Sequence, residues 1–200
     1  MSLFKRLLGK KSKSDEKAPS KEQSKYFPEQ DMPTDDKFTR NFSKNGGKFL
    51  YCLNWDEVSE AFDNILLEND WYEKEVFCMD PDLVKKFDGY NLKFSQSDQS
   101  CFVLSRCESL VASNGAILLC SNQIKEKKLS ELPANMIIFA TTSQLVETIS
   151  EGLQLIKSRS SKSIPTNITT IQDFETKDEK DFMSYGSSTK NLYLLLMEDL

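Results

Sequence analysis

Three short segments of this chain are apolar along most or all of their length instead of alternating with polar residues. They are Lys48–Leu53, Met136–Ala140 and Leu192–Met197. A strand without a polar side is typical of a parallel sheet that is covered on both faces. Segments with helical periodicity separate these strands, so the order of elements predicts an α/β fold. We therefore expect a layered α/β sandwich built on a mostly parallel sheet.

One pair of strands is predicted to be antiparallel. The apolar runs Ser109–Ala112 and Ala116–Cys120 are joined through Ser113, Asn114 and Gly115. Asn-Gly between two apolar runs favours a type I′ turn, in which both central residues take a positive φ. The sequence therefore predicts that a hairpin, with Asn114 and Gly115 at its turn, adds an antiparallel element to the sheet.

Capping signals place the helices between these strands. Asn54 with Glu57 three residues later, and Asp80-Pro81, are typical helix starts. Thr142 or Ser143 is predicted to begin another helix, with its apolar face running from Leu145 to Ile156. A short helix carries Phe38 and Phe42 and ends at residues 45–47, where glycines favour a C-cap. Residues 164–171 are expected to form an extended edge segment.

The absence of histidine limits the catalytic chemistry that this chain can perform. The chain has five cysteines, at positions 52, 78, 101, 107 and 120, and no histidine. Ser-His-Asp and Cys-His nucleophiles are therefore excluded. No CxxC spacing is present, so the sequence predicts neither a zinc site nor an iron–sulfur site in this chain. We expect the cysteines to be buried in the core, the alternative being a thiolate nucleophile or metal ligand.

Charge divides the chain into two parts. The net charge is −5, yet residues 1–25 hold eight Lys/Arg against three Asp/Glu. We predict a disordered basic tail over residues 1–35 and one folded domain over residues 36–200. The acidic domain argues against nucleic-acid binding. Residues 1–8 are either a weak docking peptide for a membrane surface or a partner, or simply part of the tail.

The sequence predicts neither a membrane span nor a secretory signal. No run of eighteen apolar residues occurs, and the apolar stretch near the N-terminus is too short for a signal peptide. We therefore expect a cytoplasmic protein.

Candidate site residues follow the strand ends. Glu108 is a weak catalytic candidate, as general base or nucleophile, and the alternative is a solvated carboxylate paired with Lys125, Lys127 or Lys128. A strand that leads into a capped helix is a common ligand site in α/β folds. The residues that we predict to bind a ligand are Asn114, Gly115, Lys128, Thr142, Ser143, Gln144 and Gly186. For each of them a turn, a cap or a solvated surface is the alternative role.

These residues together resemble the LUD domain family, which includes lactate utilisation protein C. The similarity rests on Cys107–Ala112 leading into Asn114-Gly115, on the Leu129-to-Pro133 approach to a strand, on Thr142–Val146, and on Gly186 before the last strand. The resemblance implies a fold like that of the NagB/RpiA/CoA-transferase proteins. It also implies a cleft that includes Glu108, Asn114, Gly115 and Thr142–Gln144.

The chain departs from the family pattern at its C-terminal motifs. The family commonly has a His shortly after the Leu-Pro approach, where this chain has Ala134, Asn135 and Met136. A Pro-Ser-Arg-Thr-Ala-Asp stretch and a Gly-His-Gly-Pro turn are common before the last strand. Here those regions read TIQDFE at residues 170–175 and YGSS at residues 185–188. The Arg, the Asp and both His are therefore not retained.

The resemblance implies a role in bacterial oxidation of L-lactate to pyruvate. We expect a non-catalytic or weakly catalytic accessory subunit, with iron–sulfur clusters only in a partner and with iron–sulfur and oxidoreductase subunits as partners. The first alternative is a ligand- or anion-binding regulatory or scaffold domain that has lost catalysis. The second is a CoA-transferase-like enzyme that uses Glu108 as its nucleophile.

Overall fold

A computed structural model describes residues 32–160, 163–174 and 190–199. Most of the predicted tail, its docking segment at residues 1–8, and Gly186 lie outside these residues. No helix among the described residues is long and apolar enough to cross a membrane.

The described residues form five helices and ten strands. The helices are α1 (Thr34–Lys44), α2 (Trp55–Asn69), α3 (Pro81–Lys86), α4 (Ser121–Ile124) and α5 (Ile149–Arg159). The strands are β1 (Lys48–Cys52), β2 (Glu75–Phe77), β3 (Lys93–Ser95), β4 (Phe102–Arg106), β5 (Ser109–Val111), β6 (Ala116–Leu119), β7 (Asn135–Thr141), β8 (Leu145–Val146), β9 (Thr169–Ile171) and β10 (Asn191–Met197).

The main sheet has six strands in the order β1-β10-β7-β4-β2-β3, and every pairing in it is parallel. The last strand of the sequence, β10, lies between β1 and β7. A second sheet of four strands has the order β8-β5-β6-β9 and contains the antiparallel β5–β6 hairpin. The α/β layered sandwich, its parallel sheet and its hairpin are confirmed.

Each face of the main sheet is covered by a different set of elements. On one face α2 and α3 bury side chains such as Phe62 and Leu83 against alternate sheet residues, among them Leu104 and Leu195. On the other face α1 and the β5–β6 hairpin pack on the intervening residues, such as Val103. Helix α5 covers the far side of the second sheet. Alternation along each strand explains why successive residues enter different cores.

The capping signals before α2 and α3 are confirmed. The Asn54 side chain accepts from the Glu57 amide at 3.0 Å, and the Glu57 carboxylate accepts from the Leu53 amide at 2.8 Å. The Asp80 carboxylate accepts from the amides of Asp82 and Leu83. The bonds to Glu57, Asp82 and Leu83 satisfy amides that the first turn of a helix leaves without a partner, and the bond from Leu53 fixes the residue before the N-cap.

The helix start predicted at Thr142 or Ser143 is wrong. Residues Thr142–Gln144 form a 3₁₀ turn, β8 follows it, and α5 begins after Thr148, whose hydroxyl accepts from Glu151. The reason is strand pairing, because Leu145 and Val146 lie in register with Leu110 and Val111 of β5. Their backbone groups face another strand and are not available to a helix.

The turn of the hairpin also differs from the type I′ prediction. It is a four-residue loop, closed by a bond from the Gly115 amide to the Val111 carbonyl at 2.9 Å. Gly115 has a φ of +67°, whereas Asn114 is not among the residues with positive φ. Helix α1 holds this longer loop, since the Asn41 amide donates to the carbonyl of Ala112.

Lys190 is a buried cation at the start of β10. Its side chain is 2% exposed, and its ammonium donates to the carbonyls of Leu132 and Pro133 at 2.8 and 3.1 Å. No carboxylate of a described residue forms an ion pair with it. Burial lowers the pKa of Lys190 from 10.5 to about 8. The charged form is therefore less favourable in the folded protein than in the unfolded chain.

This burial predicts a stability that rises in mildly alkaline solution. Below pH 8 Lys190 is protonated in both the folded and the unfolded chain, so the cost of burying its charge is fully present. This cost falls as the pH rises from about 8 towards 10.5, because Lys190 then loses its proton in the folded chain only. Relative to Lys190→Met, the wild-type chain should gain about 2 kcal/mol in unfolding free energy between about pH 7.5 and about pH 10. Urea unfolding at several pH values measures this difference. Relative to the exposed-residue variant Lys93→Met, which keeps Lys190, the wild-type chain should show no such gain. A difference in unfolding free energy between wild type and Lys190→Met that does not change with pH would contradict the prediction.

Candidate functional site at the carboxyl edge of the sheet

The carboxyl ends of the six parallel strands meet at one edge of the main sheet. Strand order reverses between β2 and β4, because β3 lies beyond β2 whereas β7, β10 and β1 lie beyond β4. Helix α3 follows β2 on one face, and β5 follows β4 on the other. Chain segments that leave neighbouring strands toward opposite faces open a crevice, where α/β proteins commonly bind ligands.

Thr142 and Ser143, which follow β7, contact a carboxylate of the chain itself. One oxygen of Asp199 accepts from the Thr142 hydroxyl and the Ser143 amide, both at 2.9 Å. The other oxygen accepts from the Ser143 hydroxyl at 2.7 Å. Burial raises the pKa of Asp199, but the bonds from Ser143, Thr141 and Thr142 outweigh it, so the net pKa lies below its usual value. Thr142 and Ser143, which were predicted to bind a ligand, thus donate their hydrogen bonds to a carboxylate of the chain itself.

Gln144 connects the turn to the neighbouring strand. Its side-chain oxygen accepts from the Thr141 amide at 2.9 Å, and its side-chain nitrogen donates to the Cys107 carbonyl at 2.6 Å. Both ends of the amide are engaged in backbone contacts. Gln144 therefore joins the ends of β4 and β7 and is not directed at a ligand in this structure.

Glu108, two residues beyond β4, contacts polar side chains around α4. Its Oε1 atom accepts from the Cys120 thiol at 3.0 Å and from the Gln123 amide at 2.9 Å, with Asn122 at 3.5 Å. The described ion pairs join Glu108 to no lysine, so the structure does not show the predicted pairing with residues 125–128. All of these described contacts are made by one of the two carboxylate oxygens of Glu108.

The thiols are protonated and mostly buried. Cys52, Cys78 and Cys120 are at most 6% exposed. Burial raises the pKa of Cys52 and Cys78 to about 11, and burial together with the bond to Glu108 raises that of Cys120 to about 12. A reactive cysteine needs the opposite shift. Among the described residues, no group of three or more His, Cys, Asp or Glu side chains could hold a metal.

Asn114 and Gly115 lie against α1, and the described hydrogen bonds do not join them to the carboxyl-edge residues. The Asn114 carbonyl accepts from the Asn45 side chain at 2.7 Å, and its own amide donates to Gln172 at 3.1 Å. A Cβ atom on Gly115 would lie 2.4 Å from the backbone of Asn41 and Phe42. Close approach of a helix therefore explains this glycine.

Lys128 is exposed, and its backbone amide donates to the Glu131 carboxylate at 2.7 Å. No described hydrogen bond or ion pair of Lys128 reaches the other predicted site residues. Of the predicted residues, the structure thus brings Thr142, Ser143 and Gln144 to the carboxyl edge and places Glu108 beside α4. Gly186 lies outside the described residues.

A charged cluster that the sequence did not predict lies at the β2–β4 junction. Arg106 ends β4, and its Nε atom lies 3.1 Å from an Asp80 oxygen while its Nη2 atom lies 3.6 Å from an Asp82 oxygen. The available signal was a charged residue two positions after the apolar run Phe102–Leu104. Its partners, however, come from a distant part of the sequence and required the sheet order to be known.

Comparisons with known proteins agree with this fold. The sequence model of the LUD domain matches residues 36–196. Among solved structures, the crystal structure of a DUF162 family protein from Deinococcus radiodurans at 1.70 Å resolution is similar, with a TM-score of 0.58 and 15% sequence identity. The similarity covers 83% of this chain and 96% of that one. No curated protein matches the sequence.

Gly115→Ala should destabilise the protein strongly without touching the carboxyl edge. A positive φ costs an L-residue about 1–2 kcal/mol, and the clash with the α1 backbone adds about 1–3 kcal/mol. We expect the unfolding free energy to fall by about 2–4 kcal/mol in urea titrations. The control is Gly89→Ala, because nothing lies within 4 Å of a Cβ atom built there. Equal stability of the two variants would contradict the explanation of Gly115 by the close approach of α1.

Proposed function

The chain belongs to the LUD domain family, a family associated with lactate utilisation, and from this membership we propose that it is an accessory subunit of a system that oxidises L-lactate to pyruvate. The match over residues 36–196 is the observation that carries the proposal. We further propose that the subunit is non-catalytic or weakly catalytic, and that it acts through association with electron-transferring partners in the cytoplasm.

The chemistry of the reaction indicates which steps we assign to partner subunits. Oxidation of lactate to pyruvate removes two electrons and two protons, which a redox cofactor must accept. This chain has no histidine and no CxxC spacing, and of its described cysteines Cys107 lies in one core while Cys52 and Cys78 lie in the other. Its residues therefore do not fit an iron–sulfur cluster. We assign the clusters to an iron–sulfur subunit and the oxidation to an oxidoreductase subunit.

The carboxyl edge supports a subunit without its own nucleophile. Glu108 accepts from the Cys120 thiol and the Gln123 amide, and the raised pKa of Cys120 keeps that thiol protonated. A thioester-cleaving carboxylate has to reach its substrate instead. These contacts favour the accessory role over the CoA-transferase-like one.

An anion-binding regulatory or scaffold role is the second candidate. The observation that favours it is the Asp199 carboxylate, which receives three hydrogen bonds from Thr142 and Ser143. Donors that hold a carboxylate of the chain also suit the oxygens of an exogenous anion. In this role the ligand would exchange with Asp199 and would alter contacts at the end of β10.

Deletion of the gene in its native host tests the accessory role. We expect loss of growth on L-lactate as the carbon source and normal growth on pyruvate, because lactate oxidation alone is interrupted. Affinity purification of the full chain from lactate-grown cells should recover an iron–sulfur protein and an oxidoreductase. Normal growth of the deletion strain on L-lactate would contradict the proposal.

Complementation tests the absence of catalysis. Glu108→Gln keeps the shape of the side chain but removes its charge, so a non-catalytic subunit carrying it should restore growth on L-lactate to the wild-type rate. A folded Glu108→Gln chain that fails to restore growth would show that the carboxylate itself is required.

Calorimetric titration with inorganic phosphate tests the second candidate. Ser143→Ala removes one donor and should weaken phosphate binding by about tenfold, because a hydrogen bond to a charged group contributes about 1.5–3 kcal/mol. Ser158→Ala, an exposed serine on α5, is the matched control. Unchanged phosphate affinity in Ser143→Ala would remove this site.

A further inference from the structure

The reversal of strand order between β2 and β4 selects one place at the carboxyl edge. Connections in parallel sheets are right-handed, so the chain must leave β2 and β4 toward opposite faces when the strands that follow lie on opposite sides. The segments after them accordingly reach α3 on one face and the β5–β6 hairpin on the other. A side chain at the end of β4 therefore borders the crevice between these segments.

Arg106 occupies that position and faces the α2–α3 side of the sheet. Arg106 lies two residues after Leu104 and therefore on the same face of the sheet. Leu104 belongs to the core that α2 and α3 form on that face. The Arg106 side chain is 40% exposed. An arginine at a crevice presents several N–H donors in a fixed plane, which matches the two oxygens of a carboxylate.

Asp80 is the nearer of the two ion-pair partners of the guanidinium. One carboxylate oxygen accepts from the amides of Asp82 and Leu83 at the start of α3, and the other lies 3.1 Å from the Nε atom of Arg106. The helix cap fixes the Asp80 side chain, which is 23% exposed. Asp80 thus lies beside the buried Nε atom of Arg106 as an ion-pair partner, although Nε forms no hydrogen bond among the described residues. The described ion pair of the outer nitrogens is the long one between Nη2 and Asp82.

Asp82 is held much less firmly. Its side chain is 70% exposed, and its contact with the Nη2 atom of Arg106 is long, at 3.6 Å. No other ion pair or hydrogen bond of this carboxylate occurs among the described residues. Exposed ion pairs of this kind contribute about 0–1 kcal/mol. A better-aligned carboxylate can therefore compete with Asp82 for the guanidinium.

Two aromatic rings pack beside Arg106, of which Phe139 is buried and Trp55 is half-buried. Arg106 is in register with Phe139 of β7, and the Phe139 ring stacks on Trp55 with centroids 4.8 Å apart. The Lys86 ammonium lies 3.8 Å from the centroid of the Trp55 ring and adds positive charge at the same edge. A small ligand with one carboxylate and a short apolar end fits a guanidinium next to aromatic rings.

We propose that Arg106 binds the carboxylate of a small 2-hydroxy or 2-oxo monocarboxylic acid at the β2–β4 crevice, where Asp80 pairs with the Nε side of the guanidinium and the ligand displaces Asp82 from Nη2. The acid class rests on the proposed role in lactate oxidation, whereas the position rests on the geometry. In the accessory role this subsite retains substrate or product near the oxidising partner, without performing the reaction.

Calorimetric titration of the full-length chain with L-lactate and with pyruvate tests the subsite. The wild-type chain should bind at least one of them saturably, and Arg106→Gln should weaken that binding by about tenfold or more, because a charged hydrogen-bond pair is lost. Asp82→Asn should strengthen it by about two- to fivefold, because the competing charge is removed. These two effects have opposite signs, so partial unfolding cannot produce both.

Two further variants sharpen the result. Arg40→Gln removes an exposed arginine from α1 and should leave the affinity unchanged. Arg106→Lys keeps the charge but not the planar fork, and should weaken binding less than Arg106→Gln. Circular dichroism establishes that each variant is folded. Wild-type protein without saturable binding, an Arg106→Gln affinity within twofold of wild type, or acetate and phosphate binding as tightly as pyruvate would overturn the inference.

Failure of this subsite and failure of the proposed function give different results. If the subsite alone is wrong, the deletion strain still loses growth on L-lactate, but binding does not depend on Arg106. If the lactate role alone is wrong, the deletion strain grows normally on L-lactate while Arg106→Gln still weakens acid binding.

Discussion

Burial of the two central strands on both faces is the constraint on which the rest of the structure depends. No residue in Met136–Ala140 or Leu192–Leu196 is more than 5% exposed. Each fully buried large apolar side chain contributes about 1.5–3 kcal/mol, so both faces of these strands must be kept from water. Helices α2 and α3 cover one face, while α1 and the second sheet cover the other.

This arrangement confines polar chemistry to the ends of the strands. The strand interiors have no room for a charged group, whereas chain segments diverge beyond the carboxyl ends. The carboxyl edge consequently collects residues that lie far apart in sequence, such as Thr142 with Asp199 and Arg106 with Asp80. In the described structure these groups contact other residues of the chain, as the hydrogen bonds from Thr142 and Ser143 to Asp199 show.

The sequence predicted features that depend on local chemistry. Apolar runs identified β7 and β10, and the caps at Asn54 and Asp80 depend on residues within one helical turn. The predictions were wrong where contacts with a distant segment of the chain determined the local structure. The Thr142–Gln144 stretch resembles a helix start, but pairing of β8 with β5 and the bonds to Asp199 fix it as a turn. Arg106 was missed because its role depends on the neighbouring strand, which periodicity does not identify.

The Asp82 and Asp199 carboxylates differ in how easily an exogenous anion can replace them. Asp199 uses both oxygens and receives three bonds of 2.7–2.9 Å from Thr142 and Ser143, so a ligand would have to reproduce all of them. Asp82 makes one long contact with Arg106 and is largely exposed. Exchange at Asp82 therefore costs less than exchange at Asp199. Electrostatics and geometry therefore favour Arg106 over Thr142 and Ser143 as the binding site for an exogenous anion at this edge.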